Sequence, residues 1–211
     1  MRLPERTGDD VVIGVAVTVP EPHGSVLQEA RSRFGDPLAE LIPPHVTLLG
    51  PTVVSPDLVP AIREHLARAA ASHAPFVLRL RGTGTFRPVT QVAFVQVADG
   101  IAGCEQLESA VRRGPLEQDL RYHYHPHVTV AHDLEDERLD AAIDELADFD
   151  ASFVVDRFDL YECGTDDVWR VTDAFPLSAV HDEHDEHDEH DGHDEHVAPA
   201  RPADAEARPA T

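Results

Sequence analysis

The tetrapeptide Pro-His-Val-Thr occurs twice in the chain, at residues 44–47 and again at residues 126–129. In an extended strand successive side chains alternate between faces. His45 and Thr47 therefore share one face while Val46 and Leu48 take the other, and His127 and Thr129 stand in the same way against Val128 and Val130. Each strand thus offers an imidazole beside a hydroxyl. Cleavage of a phosphoester needs a base on the nucleophile's side of phosphorus and an acid on the side of the leaving oxygen. Histidine titrates near neutrality and can serve as either. Two opposed imidazoles supply both roles, and threonine hydroxyls are donors suited to non-bridging oxygens as charge develops on them. Such a set calls for no metal and no cofactor. The competing reading makes both histidines ordinary sheet residues at strand starts after proline, and it must be weighed against the elements around them.

Those elements repeat. Val11–Val19 is β-branched and ends at Pro20, which reads as a strand, and Ser25–Phe34 has helical spacing with Gly35 as its stop. A strand carrying His45 follows. Ser55-Pro56 then opens a helix with an N-cap and a first-turn proline, and Leu58, Ile62, Leu66 and Ala69 form its apolar stripe. Strands are expected at Phe76–Leu80 and Gln91–Val97, with Arg81-Gly82-Thr83-Gly84 as a turn-rich stretch between them. The second half gives a helix over Cys104–Arg113, a strand holding His127, a helix over Glu137–Leu146, and strands over Phe153–Tyr161 and Val168–Phe175. The two histidines are 82 residues apart and the strand starts Phe76 and Phe153 are 77 apart, an irregular repeat in register by element. The expectation is an α+β fold of two antiparallel-rich sheets with flanking helices. Its two interleaved lobes, about 20–97 and 101–177, would be related by a pseudo-twofold, with the His-x-Thr strands facing a central cleft.

Composition bounds the partners. The chain has 211 residues, enough for one sizeable domain, and its formal charge is −23. Nine acids fall within residues 181–196, which leaves −14 for the rest. An acidic body lacks the basic footprint of a duplex-binding protein, so no duplex DNA partner is expected, and an RNA end or a small phosphate ester stays open. The start of the chain has no apolar signal segment and no run of about 18 apolar residues occurs, so a cytoplasmic protein without membrane association, acting as a monomer, is expected. Cys104 and Cys163 are too few for a disulfide framework and lack metal-ligand spacing.

The folded unit is expected over residues 1–180. Residues 181–211 form a His/Asp/Glu-rich and then Pro/Ala-rich tail that cannot bury enough apolar surface to order itself. Its histidines recur at every third position, and weak divalent transition-metal ligation by His181, His184, His187 and His190 is the chemistry they suggest.

Around the paired motifs, Phe86, Tyr122 and Tyr124 could stack a base or could be core and rim residues. His132 has the opposite strand parity from His127, which leaves a surface or supporting place and a phosphate contact both open.

Two His-x-Thr motifs in repeated halves resemble the two-histidine phosphoesterase superfamily, and in particular its 2'-5' RNA ligase-like, RNA 2',3'-cyclic phosphodiesterase branch. Gly82-Thr83-Gly84-Thr85-Phe86, the lead Tyr124-His125-Pro126, and Phe158-Asp159-Leu160-Tyr161 are similar too, so the resemblance runs from about Val11 to Leu177. It implies a bilobal α+β fold and metal-free hydrolysis of 2',3'-cyclic phosphates at RNA ends or of small nucleotides. It also implies catalytic roles for His45 and His127 and phosphate contacts for Thr47 and Thr129. Joining RNA ends through a 2'-5' linkage by the same site, or binding a nucleotide phosphate without turnover, are the alternatives. Two departures stand out: His132 replaces an arginine common in the RNA-processing branch, and Leu49-Gly50-Pro51 follows the first motif in place of a Phe-containing run.

Overall fold

The computed structural model describes residues 4–119 and 122–179, so the tail expectations for 181–211 lie outside the described residues. The elements are β1 (Val11–Thr18), α1 (His23–Phe34), β2 (His45–Val54), α2 (Val59–Ala71), β3 (Phe76–Thr85), β4 (Val92–Asp99), α3 (Ile101–Val111), β5 (His127–His132), α4 (Asp136–Glu145), β6 (Asp150–Val155), β7 (Arg157–Cys163) and β8 (Trp169–Pro176). The α+β expectation holds, but the two sheets expected are one. All eight strands pair antiparallel in the order β6-β3-β4-β5-β2-β1-β7-β8.

That sheet has to curl. A single residue, Asp156, separates β6 at one edge from β7, six places away in strand order. Consecutive Cα atoms are about 3.8 Å apart, so the two regions of the sheet can meet only if it bends into a half-barrel. The break at Asp156 also corrects the single strand read over Phe153–Tyr161: the first part pairs with β3 and the second with β1. Two further differences are local. The expected turn at Arg81–Gly84 stays within β3, where pairing slips between Leu80 and Thr83 and Gly82 takes φ +73°, a left-handed geometry that glycine adopts without strain. Ser55 makes no side-chain cap bond, and a 3-10 turn over Pro56–Leu58 comes between it and α2.

The helices cover one face of the sheet. Ile62, Leu66 and Ala69 of α2 join Leu27, Leu78, Leu80, Leu107, Leu139 and Phe158 in the main core, whereas Leu58 is exposed. β1 is buried on both faces: Ile13, Val15 and Val17 enter the main core, while Val12 and Ala16 meet Tyr161, Cys163 and Trp169 on the opposite, concave face. Cys104 and Cys163 are free and buried. Among the described residues no helix is long and apolar enough to cross a membrane.

Strict alternation fails at a matching place in each motif strand, and β2 slips once more between Leu49 and Thr52. Ala16 pairs with Thr47 and Val15 with Leu49, so Leu48 is skipped; Phe94 pairs with Thr129 and Ala93 with Ala131, so Val130 is skipped. These are β-bulges, which put two successive side chains on one side and reverse the parity beyond. Leu48 and Leu49, like Val130 and Ala131, are all buried in the main core. The residues that follow, Gly50 and His132, therefore turn to the face that carries the histidines. Leu48→Ala is expected to destabilise the fold by about 2–5 kcal/mol in denaturant unfolding, the cost of emptying a fully buried leucine site. An unchanged midpoint would show that the bulge does not pack as described.

Candidate active site

β2 and β5 touch through one residue pair, Val46 with Val128, in antiparallel sense. Continuing that register by one residue either way sets His45 opposite Thr129 and Thr47 opposite His127. Each imidazole is thereby placed across the seam from the other motif's hydroxyl. Prolines 43, 44 and 126 lead into the two strands, where their missing N–H groups help to end the preceding coil.

Both imidazoles are held alike. Nδ1 of His45 lies 2.7 Å from the carbonyl oxygen of Pro43, and Nδ1 of His127 lies 2.7 Å from that of His125. A carbonyl oxygen only accepts, so Nδ1 donates in both cases. Nε2 of each neutral ring is then left as the acceptor, free to take a proton. Burial lowers both pKa values, that of His45 to about 4, with the positive charge of Arg31 adding to the effect. His127 is lowered by burial and by the neighbouring His125.

The surroundings of the two rings differ. His127 stands edge-on to Phe86 at 4.9 Å and beside Phe94 at 5.2 Å, with His125 stacked at 6.2 Å. Phe86 in turn packs on Phe94 at 4.4 Å. His45 faces Tyr161 at 6.4 Å, whose hydroxyl is 2.5 Å from that of Thr18, itself donating to the buried Asp159. The segment leading to His45 is fastened by Arg31, which donates through Nε to Asp36 at 3.1 Å and through a terminal nitrogen to the Ile42 carbonyl at 2.8 Å.

His45, Thr47, His127, Thr129, Phe86, Tyr124 and His132 all line one cavity of about 770 Å³. His132 reaches it through the bulge, which alternation alone could not disclose. Tyr124 serves there as a brace: its hydroxyl donates to the Thr47 carbonyl at 3.0 Å. The tail histidines lie outside the described residues. Sequence reasoning missed Arg31, Arg112, His123, Tyr161 and Trp169, which also line the cavity. The ion-pair spacing of Arg31 with Asp36 and of Glu108 with Arg112 was the available signal for two of them. The charged and titratable lining is five histidines and two arginines beside three tyrosines, with no carboxylate, although the chain holds 40 Asp and Glu against 17 basic residues. Such a wall favours an anion. Among the described residues no group of three His, Cys, Asp or Glu is placed to hold a metal ion.

A family model described as the 2'-5' RNA ligase superfamily matches residues 19–167. The chain belongs to that superfamily. It is 34% identical over 151 residues to a predicted phosphoesterase from Bacillus licheniformis, covering 71% of this chain and 88% of that one. It is 27% identical to another from Oceanobacillus iheyensis, over 78% of this chain and 96% of that one. Among solved structures, TT0787 of Thermus thermophilus is similar with TM-score 0.55 and 26% identity, over 81% of this chain and all of that one. Escherichia coli LigT without ligand shares the fold at TM-score 0.58 and 19% identity, over 82% of this chain and all of that one. The phosphoesterase family membership accords with the paired histidines and the carboxylate-free wall.

The ring cluster around His127 is itself supported by a glycine. A Cβ at Gly84 would lie 2.7 Å from the Phe94 ring. Gly84→Ala is therefore expected to push Phe94 toward His127, destabilise the fold by about 1–3 kcal/mol, and shift the His127 imidazole resonance while sparing that of His45. An unmoved His127 resonance would show that the phenyl rings do not set its position.

Proposed function

We propose that this chain is a metal-independent phosphodiesterase that opens 2',3'-cyclic phosphates at RNA ends or on small nucleotides. The observation that carries this reading is the pair of Nδ1-anchored imidazoles, each opposite the other motif's threonine, in a cavity walled without carboxylates. Water attacks phosphorus and the bond from phosphorus to the 3' oxygen breaks. One imidazole takes the proton from water and the other delivers a proton to the departing 3' oxygen, which leaves a 2'-phosphate. Thr47 and Thr129 donate to the non-bridging oxygens, where charge grows in the transition state. Escherichia coli LigT, which shares this fold, has been crystallised with 3'-AMP and with NADP+, and nucleotides are accordingly the ligand class to try first. With the 5'-hydroxyl of a second RNA end attacking the cyclic phosphate in place of water, the same proton transfers break the bond to the 3' oxygen and leave a 2'-5' linkage, the reaction in the superfamily's description.

The two lobes act as equivalents in this scheme, but their histidines do not. His45 has its pKa drawn down to about 4 and remains a neutral acceptor to lower pH, so it is assigned the base and His127 the acid. Both depressed values set the pH dependence. The acid must hold its proton, which it loses as pH rises through a pKa below the ordinary 6.5, and the base must lack one, which it gains as pH falls toward 4.

Turnover of a 2',3'-cyclic nucleotide is expected to persist in excess EDTA and to fall by at least about a hundredfold in His45→Ala and in His127→Ala. Full activity in both variants would overturn the proposal. The kcat/KM profile is expected to be bell-shaped with its maximum below pH 6.5, and a profile flat from pH 5 to 9 would count against the pair. A substrate with a nitrophenol leaving group needs little acid catalysis, so it is expected to restore His127→Ala and not His45→Ala; the reverse pattern would exchange the roles.

A further inference from the structure

The two ends of the cleft are built from corresponding parts, and the differences between them give it a direction. Because β2 and β5 run antiparallel at their seam, His45, Thr129 and His132 lie toward one end. His127, Thr47 and Gly50 lie toward the other. The helices cross over: α1 packs on β5, and α3 packs on β2. They bury the same pattern, Leu27, Ala30, Arg31 and Phe34 in α1 against Cys104, Leu107, Glu108 and Val111 in α3. Arg31 and Glu108 thus occupy corresponding places, each closing an ion pair with a residue four or five further along, but with the polarity exchanged. The charge of Arg31 is felt by His45 and His132, and that of Arg112 by Tyr124, the residue bonded to the Thr47 carbonyl. One arginine therefore serves each end.

The end at His132 is filled. Its arginine, Arg31, is 4% exposed in its side chain and bonded to Asp36 and to the Ile42 carbonyl, and Asp36 also accepts from the Leu38 N–H at 2.9 Å. That guanidinium is committed to holding the chain. The end at Gly50 is different on both counts. Where the other strand puts an imidazole, Gly50 puts no side chain, and a Cβ built there meets nothing within 4 Å. Arg112 lines this part of the wall with 17% of its side chain exposed. Its partner Glu108 stands 2.6 Å away as an ion pair, yet neither Nε of Arg112 nor Oε1 of Glu108 has a hydrogen-bond partner of acceptable geometry. A half-buried guanidinium paired through one nitrogen in poor geometry gains more from a well-aligned oxyanion at its other nitrogens than one already bonded through several.

We propose that the Gly50–Arg112 end of the cavity is a second anion subsite, which takes a phosphate of the substrate other than the one cleaved. The substrate class is then a nucleotide carrying both a cyclic phosphodiester and a further phosphate, such as a 5'-phosphate. The rest of such a molecule passes over Gly50, because His132 closes the opposite way. This inference rests on the proposed function for the placement of the first phosphate at the histidines, and it adds the location and charge of the second.

Binding can be read apart from turnover. Titration calorimetry compares adenosine 2'-phosphate with adenosine 2',5'-bisphosphate on the full chain, and the bisphosphate is expected to bind about tenfold tighter or better. Arg112→Met is expected to bring the two dissociation constants within about twofold of each other, and Arg112→Lys to restore part of the ratio. Gly50→Val, which leaves the ion pair untouched, is expected to erode the same ratio by obstructing the path, and it tests the subsite even if Arg112→Met fails to fold. Equal affinities in the wild-type chain, or a ratio that neither Arg112→Met nor Gly50→Val alters, would overturn the subsite. Hydrolysis of the matching cyclic nucleotides is followed in parallel. Absent turnover with the ratio intact would sink the hydrolase reading and leave the subsite standing, turnover with equal affinities would do the opposite, and binding of neither ligand would overturn both.

Discussion

A single antiparallel contact, Val46 with Val128, joins the two halves of the sheet at its centre. Nearly everything about the cleft depends on it. An antiparallel seam puts unlike positions of two like strands side by side, so the hydroxyl of one motif meets the imidazole of the other. Parallel pairing would have set histidine beside histidine, where two protonated rings repel and no donor stands across from either. Because the contact is one residue pair long, the strands are free to diverge on both sides of it, and the cavity occupies the space they leave. The curl of the sheet, forced by the short link at Asp156, turns that space into a concavity.

The motif residues were legible in the sequence because they depend on short-range regularities: proline before the strand, alternation within it, and repetition of the helices around it. The order of elements followed for the same reason, since helix stripes such as Ile62, Leu66 and Ala69 and β-branched runs such as Val11–Val19 are local patterns. What could not be read was long-range. Nothing in residues 150–163 announces that one side of Asp156 pairs with β3 and the other with β1, so two sheets were expected where one exists. The bulges at Leu48 and Val130 were hidden because a skipped residue leaves no mark in composition. They decide where His132 goes, and strict alternation gave no means of telling. Arg31 and Arg112 were missed because a charged residue on a helix is ordinarily solvated, and only the crossing of each helix onto the other half's strand draws them inward.

Charge is segregated within the molecule. Among the described residues most carboxylates lie on the outer surface, paired where arginines come near, as between Arg79 and Asp150 or between Arg170 and Asp166, while the buried Asp36, Glu108 and Asp159 are each bonded or ion-paired. The charged and titratable residues lining the cavity are cations and imidazoles alone, tyrosines apart. An overall negative field slows the approach of any anion at low ionic strength, whereas the local field at the wall draws in one that has arrived.

The anchoring of both imidazoles to a carbonyl two residues upstream has a further consequence. The proton on Nδ1 is held by main chain, and main chain is the same whatever side chains surround it. Substitutions along the walls can therefore reshape which molecule enters without disturbing which ring nitrogen faces it. On the proposed reading the proton-transfer pair is insulated from the recognition surface, and a repeated scaffold of this kind can acquire new ligands while its chemistry stays fixed. The unlike residues at positions 50 and 132, on strands otherwise built to one plan, are the trace such a history would leave.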